Sequence, residues 1–124
     1  MKKIIAFGAS SSKTSINKQF AVYAANEFKG ATVEVLDLND YEMPVFSVDK
    51  EKESGIPQLA HDFFSKIGSA DLLVISFAEH NGSYSAAFKN IFDWGALELM
   101  LKRFKKNQHC CYQLLQVRVV AQQF

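Results

Sequence analysis

Cysteine is nearly absent: the chain has 2, Cys110 and Cys111, and they are adjacent. Adjacent cysteines suit neither the Cys-x-x-Cys spacing of a metal site nor a disulfide framework. The sequence therefore predicts no bound metal and a reducing compartment, the cytoplasm. A charge imbalance is missing as well. A formal net charge of +1 gives no long-range field for gathering a polyanion, and no face interleaves Lys or Arg with aromatics, which argues against a nucleic-acid partner. No stretch approaches the roughly 20 apolar residues that span a bilayer, so no membrane association is expected. The apolar run Ile4 to Phe7 behind Lys2 and Lys3 is too short for a signal-peptide core of about 7–15 residues. Two nucleotide fingerprints are also missing. A Walker A loop needs Gly, four residues, then Gly-Lys-Ser/Thr; here Gly8 and Lys13 stand one residue too close, and Ser12 occupies the second glycine's place. No Gly-x-Gly-x-x-Gly occurs either, which disfavours an ATPase and a Rossmann dehydrogenase.

What is present suits one small α/β domain. A length of 124 residues fits a single core, and a hydrophobic fraction of 48% with 11 Phe is ample to fill it. Lys3 to Phe7 reads as a short apolar strand ended by the small polar run Gly8 to Ser12. A helix from about Ile16 to Phe28 follows, with Phe20, Tyr23, Ala24 and Phe28 on one face and Gly30 placed to stop it. Thr32 to Leu38 is the second strand. Asn39 to Gly55, which holds Pro44, Asp49, Glu51 and Glu53 without a sustained apolar period, reads as a long exposed connection. Pro57 suits a helix first turn, with Leu59, Phe63, Phe64 and Ile67 as its buried stripe before Gly68 and Ser69 end it. Leu72 to Phe77 is continuously apolar, the pattern of a central parallel strand. A last helix from about Ser85 to Leu101 carries Phe88, Ile91, Phe92 and Leu99. This alternation predicts a parallel sheet wrapped by helices. Ligands then sit beyond the carboxyl ends of the strands, at Gly8 to Asn17 and at Ala78 to Tyr84.

The first of these segments, Gly8-Ala-Ser-Ser-Ser-Lys-Thr-Ser-Ile-Asn17, puts hydroxyls and an amide where a strand hands over to a helix. Unpaired N–H groups at a helix start favour an anion, and short hydroxyls add donors, so a phosphate cradle is one reading. The other is that Thr14 or Ser15 caps the helix. Lys13 either supplies charge nearby or faces solvent.

Ala9-Ser-Ser-Ser-Lys-Thr-Ser-Ile-Asn17 is similar to the Gly-Ser-x-Arg-x-x-Ser-x-Asn phosphate loop of NADPH-dependent FMN reductases. Ser10, Ser15 and Asn17 match, whereas Ser12 replaces the arginine and Ala9 the glycine. Ala78-Glu-His-Asn-Gly-Ser-Tyr-Ser-Ala-Ala-Phe-Lys-Asn-Ile-Phe-Asp-Trp94 resembles the same family's Pro-Glu-Tyr-Asn-Gly-Ser stretch with its following Leu-Lys-Asn and Asp-Trp. Glu79, Asn81, Gly82 and Ser83 match, with Lys89, Asn90, Asp93 and Trp94 in register; Ala78 and His80 depart from the usual Pro and Tyr. The resemblance runs from about Lys2 to Lys102. It implies a flavodoxin-like three-layer sandwich with strand order 2-1-3, FMN as cofactor and NAD(P)H as co-substrate. It also implies a small-molecule acceptor (flavin, quinone, azo compound or metal oxyanion) and a homodimer. By the same resemblance Ser10, Ser15 and Asn17 bind the FMN phosphate, with Ser15 and Asn17 facing it rather than the core, and Ser12 and Ile16 stand beside them as cofactor-binding residues. Glu79, His80, Asn81, Gly82 and Ser83 form the flavin platform, where glycine lets backbone approach a flat ring. No catalytic acid is required. An FMN-binding electron carrier is the alternative, although a carrier's usual Ser/Thr-x-Thr-Gly-x-Thr phosphate loop is not matched by Ser10 to Ser15.

Past Lys102 the family pattern, a fourth strand with a Ser-Pro-Gly-Gly-like loop and then a helix and fifth strand, is not visible. In the frame that joins the last base of each codon to the first two of the next, His109-Cys-Cys-Tyr112 encodes three leucines whichever synonymous codons are used. Continuing through Val120, that frame permits Ser/Pro, Thr/Ala, Ser, Pro, Gly, Ala and Arg/Gly-Gly. Lys105, Lys106 and Asn107 imply an adenine-rich tract in which a base is easily lost or gained. The sequence thus predicts a C-terminally incomplete domain over 1–102 and an aberrant, frameshifted tail over 103–124, in which Leu114 to Val120 has the composition to fill a vacant sheet edge. An inactive product of a damaged frame is the third functional reading.

Overall fold

The computed structural model describes residues 2–95 and the backbone of 113–117. Strands β1 (Lys2–Ala9), β2 (Ala31–Val35), β3 (Leu72–Phe77) and β6 (Gln113–Val117) form one parallel sheet in the order β2-β1-β3-β6. Strands β4 (Glu79–His80) and β5 (Ser83–Tyr84) make a separate antiparallel hairpin. Successive residues of a strand point to opposite faces, and β1 uses both. Ile4 and Ala6 join Val74 under helix α1 (Ile16–Asn26), while Ile5 and Phe7 join Ile75 under α3 (Gln58–Ser69) and α4 (Ala86–Gly95). Helices thus cover both faces of the central strands, the flavodoxin-like arrangement with intact strand order 2-1-3. The fourth strand lies on β3 with Leu72 opposite Gln113 and Ser76 opposite Val117. This is the sheet edge that the tail's composition suits; residues 118–120, and the part of the last predicted helix beyond Gly95, lie outside the described residues.

Several expectations change: Leu59, expected in the buried stripe after Pro57, is exposed, the second strand ends at Val35 with Leu38 in the following turn, and the segment after β3 folds as a hairpin. Helix α1 does not bury its aromatic stripe: Phe20, Tyr23 and Phe28 are exposed, and Ala21 and Ala25 are fully buried instead. The cause is close approach. A Cβ on Gly8 would stand 2.4 Å from the backbone N of Lys18 and 2.9 Å from the carbonyl carbon of Asn17, so the start of the helix meets β1 at backbone contact, and the small side chains of Ala21 and Ala25 follow on the face turned to the sheet. The connection from 39 to 55 is also more structured than expected. It holds a 3-10 turn (Leu38–Tyr41) capped by Asp37 and a helix α2 (Val48–Ser54) capped by Ser47, whose Oγ accepts from the Lys50 N–H. None of the α2 residues is buried. Its caps, with Asp49 and Glu51 in the first turn and Lys52 in the last, stabilise it through the helix dipole, a signal that apolar periodicity does not contain.

On the other face Phe63 is central, with edge-on ring contacts to Phe7, Tyr41 and Phe64 at centroid distances of 5.6, 5.1 and 5.5 Å. Each such pair contributes about 0.5–1.5 kcal/mol beyond area burial. No helix among the described residues is long and apolar enough to cross a membrane.

Candidate active site

The loop after β1 and the hairpin after β3 meet at the carboxyl edge of the sheet, around an open cavity of about 370 Å³. Ser10, Ser12, Ser15, Ile16 and Asn17 line it from the first segment, and Glu79, His80 and Asn81 from the second. Two stretches more than sixty residues apart in sequence therefore share one wall, because β1 and β3 are hydrogen-bonded neighbours whose register runs through Ala9 opposite Phe77. Gly82 and Ser83 are not part of that wall; they lie at the turn and on the return strand of the hairpin. Thr14 and Ala78 line the cavity as well, without having been singled out as binding residues in the sequence.

Ser10 and Ser15 in the first loop are held by local hydrogen bonds. Ser10 Oγ accepts from the Ser12 N–H at 3.1 Å, which curls the chain as it leaves β1. Ser15 is the N-cap of α1, its Oγ accepting from the Lys18 N–H at 3.1 Å. The capping role expected of Thr14 or Ser15 falls to Ser15, which also lines the cavity. Asn17 is buried rather than turned wholly outward, and its Oδ1 accepts a 2.7 Å hydrogen bond from Ser76 Oγ on β3. The expected division between site residues and core residues therefore does not hold at Ser15 and Asn17, which serve both. Among the described residues no Lys or Arg lines the cavity. Lys18, at the start of α1, is committed to Asp37 at 2.7 Å, and with the Asn39 N–H this holds the Asp37 carboxyl below its ordinary range.

The second wall is a two-residue hairpin. Asn81 and Gly82 have φ of 52° and 77° between the pairs Glu79–Tyr84 and His80–Ser83. Positive φ at both central residues is the turn geometry that Asn-Gly favours. A Cβ on Gly82 would meet nothing within 4 Å, so within the described residues glycine is required there by conformation rather than by crowding. Phe77 and Tyr84 pack with Phe88 at centroid distances of 5.1 and 5.7 Å, which seats the hairpin base on α4.

Two serines that sequence reasoning did not select organise these walls. Ser85, before α4, accepts from the Phe88 N–H at 3.3 Å and donates to the carbonyl of Ala9 at 2.8 Å, fastening the second loop to the end of the first strand. A cap at Ser85 is legible as a serine before an apolar-periodic run, but its bond to Ala9, 76 residues away, is not. Ser76 stands out only as a polar residue within an apolar strand. Asn90 and Trp94, by contrast, hold the fold. Asn90 accepts from the Phe46 N–H at 2.8 Å and donates to the Met43 and Pro44 carbonyls at 3.3 and 3.1 Å, and Trp94 Nε1 donates to the Pro44 carbonyl at 2.7 Å.

Comparison with known proteins agrees with this fold. The chain is 30% identical over 67 residues to a probable NADPH:quinone oxidoreductase 2 of Oryza sativa subsp. japonica, covering 54% of this chain and 32% of that protein. It is 31% identical over 83 residues to an uncharacterised protein of Mycoplasma pneumoniae, covering 67% of this chain and 48% of that protein. The chain thus spans about a third to a half of the length of these relatives. The same fold occurs in the flavoenzyme NAD(P)H:(acceptor) oxidoreductase FerB of Paracoccus denitrificans, with a TM-score of 0.61, 18% identity, and coverage of 100% of this chain and 80% of that one. It also occurs in an NADH:FMN oxidoreductase in its apo form, with a TM-score of 0.58, 12% identity, and coverage of 95% and 76%. The sequence pattern of one family matches residues 2–112, nearly the whole chain, and this protein belongs to that family, the NADPH-dependent FMN reductases.

Proposed function

We propose that the cavity between the two loops is an FMN site and that the protein is built for NAD(P)H-dependent flavin reduction. The convergence of both loops on one cavity carries this reading. The residues suit the cofactor's parts. Amide N–H groups at the start of α1, with the hydroxyls of Ser10, Ser12 and Ser15 and the Asn17 amide, form a donor set for a phosphate that does not need a cation. The hairpin of Glu79 to Ser83 supplies a rigid, narrow platform beside it, and a volume of about 370 Å³ lies within the range of about 300–1,000 Å³ common to small-ligand sites. When bound, FMN would supply the redox chemistry, taking a hydride from the nicotinamide and passing the electron pair to a small acceptor. The chain's own contribution is to bind and orient; no side chain is assigned a proton transfer.

Under this reading the protein works in the cytoplasm as a homodimer, for which the outward side chains of Phe20 and Tyr23 offer apolar contact area. Residues 103–124 are then a frameshifted tail that offers a substitute strand but does not restore the family's remaining flavin loop, and the coding DNA beyond Lys102 would reveal an alternative frame encoding a Leu-rich strand and a Pro-Gly loop. The test of the site is titration of the full chain with FMN and riboflavin, followed by NADPH and NADH oxidation with and without FMN. FMN should bind at least about tenfold tighter than riboflavin, since a hydrogen bond to a charged group contributes about 1.5–3 kcal/mol, and oxidation should depend on FMN. Binding without turnover would favour the electron carrier, and no FMN binding would remove the site.

A further inference from the structure

Strand β3 reads Leu72-Leu-Val-Ile-Ser-Phe77, and its single polar side chain, Ser76, is 0% exposed. Burying a hydroxyl in an apolar layer is unfavourable unless it is hydrogen-bonded, so its partner explains its presence. That partner is Asn17 Oδ1, 2.7 Å away and 59 residues distant in the chain. With the hydroxyl donating to the amide oxygen, the NH2 end of the Asn17 amide points away from Ser76. The oxygen is taken up inside the fold. Asn17 Nδ2 makes no hydrogen bond among the described residues, and no fully buried polar side-chain atom there lacks a partner. The NH2 group is therefore accessible, on a residue that lines the cavity.

We propose that Ser76 is a positioning residue for anion binding: its hydroxyl locks the Asn17 amide with its donor end toward the cavity. The lock matters because the reversed amide would present lone pairs to the anion, and among the described residues the cavity wall holds no Lys or Arg to offset that repulsion. The carboxylate of Glu79 on that wall has the anion's own sign. The inference rests on the FMN-phosphate reading above.

The test compares FMN with riboflavin, which differ only in the phosphate, on the full chain and its Ser76→Ala, Ser76→Cys, Asn17→Ala and Ser76→Ala/Asn17→Ala variants, with folding checked by circular dichroism. Ser76→Ala should lose about tenfold in FMN affinity with riboflavin affinity unchanged. Ser76→Cys, a similar volume with a weak donor, should fall between, and it decides the matter if Ser76→Ala does not fold. Once Asn17 is alanine, removing the Ser76 hydroxyl should change FMN binding no further, as expected of two residues acting as one unit. Equal losses for FMN and riboflavin would reduce Ser76 to a packing role and overturn the inference. Full phosphate preference in Ser76→Ala would overturn it too. A wild-type chain that binds FMN but prefers it no more than riboflavin would remove the phosphate site itself, and the role of Ser76 with it.

Discussion

At Gly82 the chain adopts φ of 77° directly after Asn81 at 52°, and these two residues carry the whole reversal between His80 and Ser83. An L-residue in the left-handed region costs about 1–2 kcal/mol, and asparagine tolerates it better than most because its side chain bonds locally. Gly82→Val should therefore destabilise the protein by about that amount and Gly82→Asn by clearly less, measured as the shift in urea midpoint. The open space around Gly82 adds a second expectation. With FMN present, Gly82→Val should lose flavin affinity as well, and Gly82→Asn should lose less; if both bind FMN as the unaltered chain does, the hairpin tip is not part of the platform.

Beside the apolar core, elements are joined by a few side chains that bond backbone. Helix α4 clamps the 43–46 segment through the three hydrogen bonds of Asn90, the Trp94 Nε1 bond to Pro44, and the edge-on contact of Phe46 with Trp94 at 5.1 Å. Beyond the clamp lies α2, with no buried residue, so the connection has little else to hold it. Asn90→Ala leaves the Phe46 N–H and the Met43 carbonyl without their side-chain partner, while the Pro44 carbonyl keeps Trp94 Nε1; orphaning two partly buried groups costs toward the low end of about 1–3 kcal/mol. It should lower the melting temperature and speed proteolysis within 48–55, whereas Trp94→Phe, which keeps a ring against Phe46 and loses one donor, should do both less.

Over the whole molecule, the end of the sheet opposite the cavity is tied by charge. Glu34 on β2 bridges Lys3 on β1 at 2.9 Å and Lys66 on α3. Its hydrogen bonds to Lys66 and then Lys3 hold its carboxyl below the ordinary 4.5, and the Glu34 hydrogen bond raises Lys66 above 10.5. For a carboxylate with a lowered folded value, the stabilisation is present above the unfolded value and is lost as pH falls through the folded one. For a lysine with a raised value, it is present below the unfolded value and lost as pH rises through the folded one. Glu34→Gln should therefore flatten both limbs of the stability–pH curve, below about pH 4.5 and above about pH 10.5, with the acid limb checked by thermal unfolding between about pH 3 and 7. All three side chains are partly exposed, at 31 to 44%, so the change should shrink in high salt. An acid limb unchanged in Glu34→Gln would show that the bridge adds nothing.

The sequence alone determined the alternation of strands and helices, because period and punctuation are local: Leu72–Phe77 is the apolar run of a central strand, and the two segments that line the cavity lie where strands end. It singled out Gly82 for close approach of backbone to a ring, but the two-residue turn with positive φ at Asn81 and Gly82 emerged only in the folded hairpin. Tertiary structure decided the rest. Whether Phe20 or Ala21 faces the core depends on how near α1 stands to Gly8, a distance between segments that no window of sequence contains. The exposed helix α2 was illegible for the opposite reason, having caps and charges but no buried face. The role of Asn17 was only half legible. Its position at a helix start marks it for an anion, but the direction of its amide is set by Ser76, a serine whose purpose appears only when β3 and α1 are brought together in space.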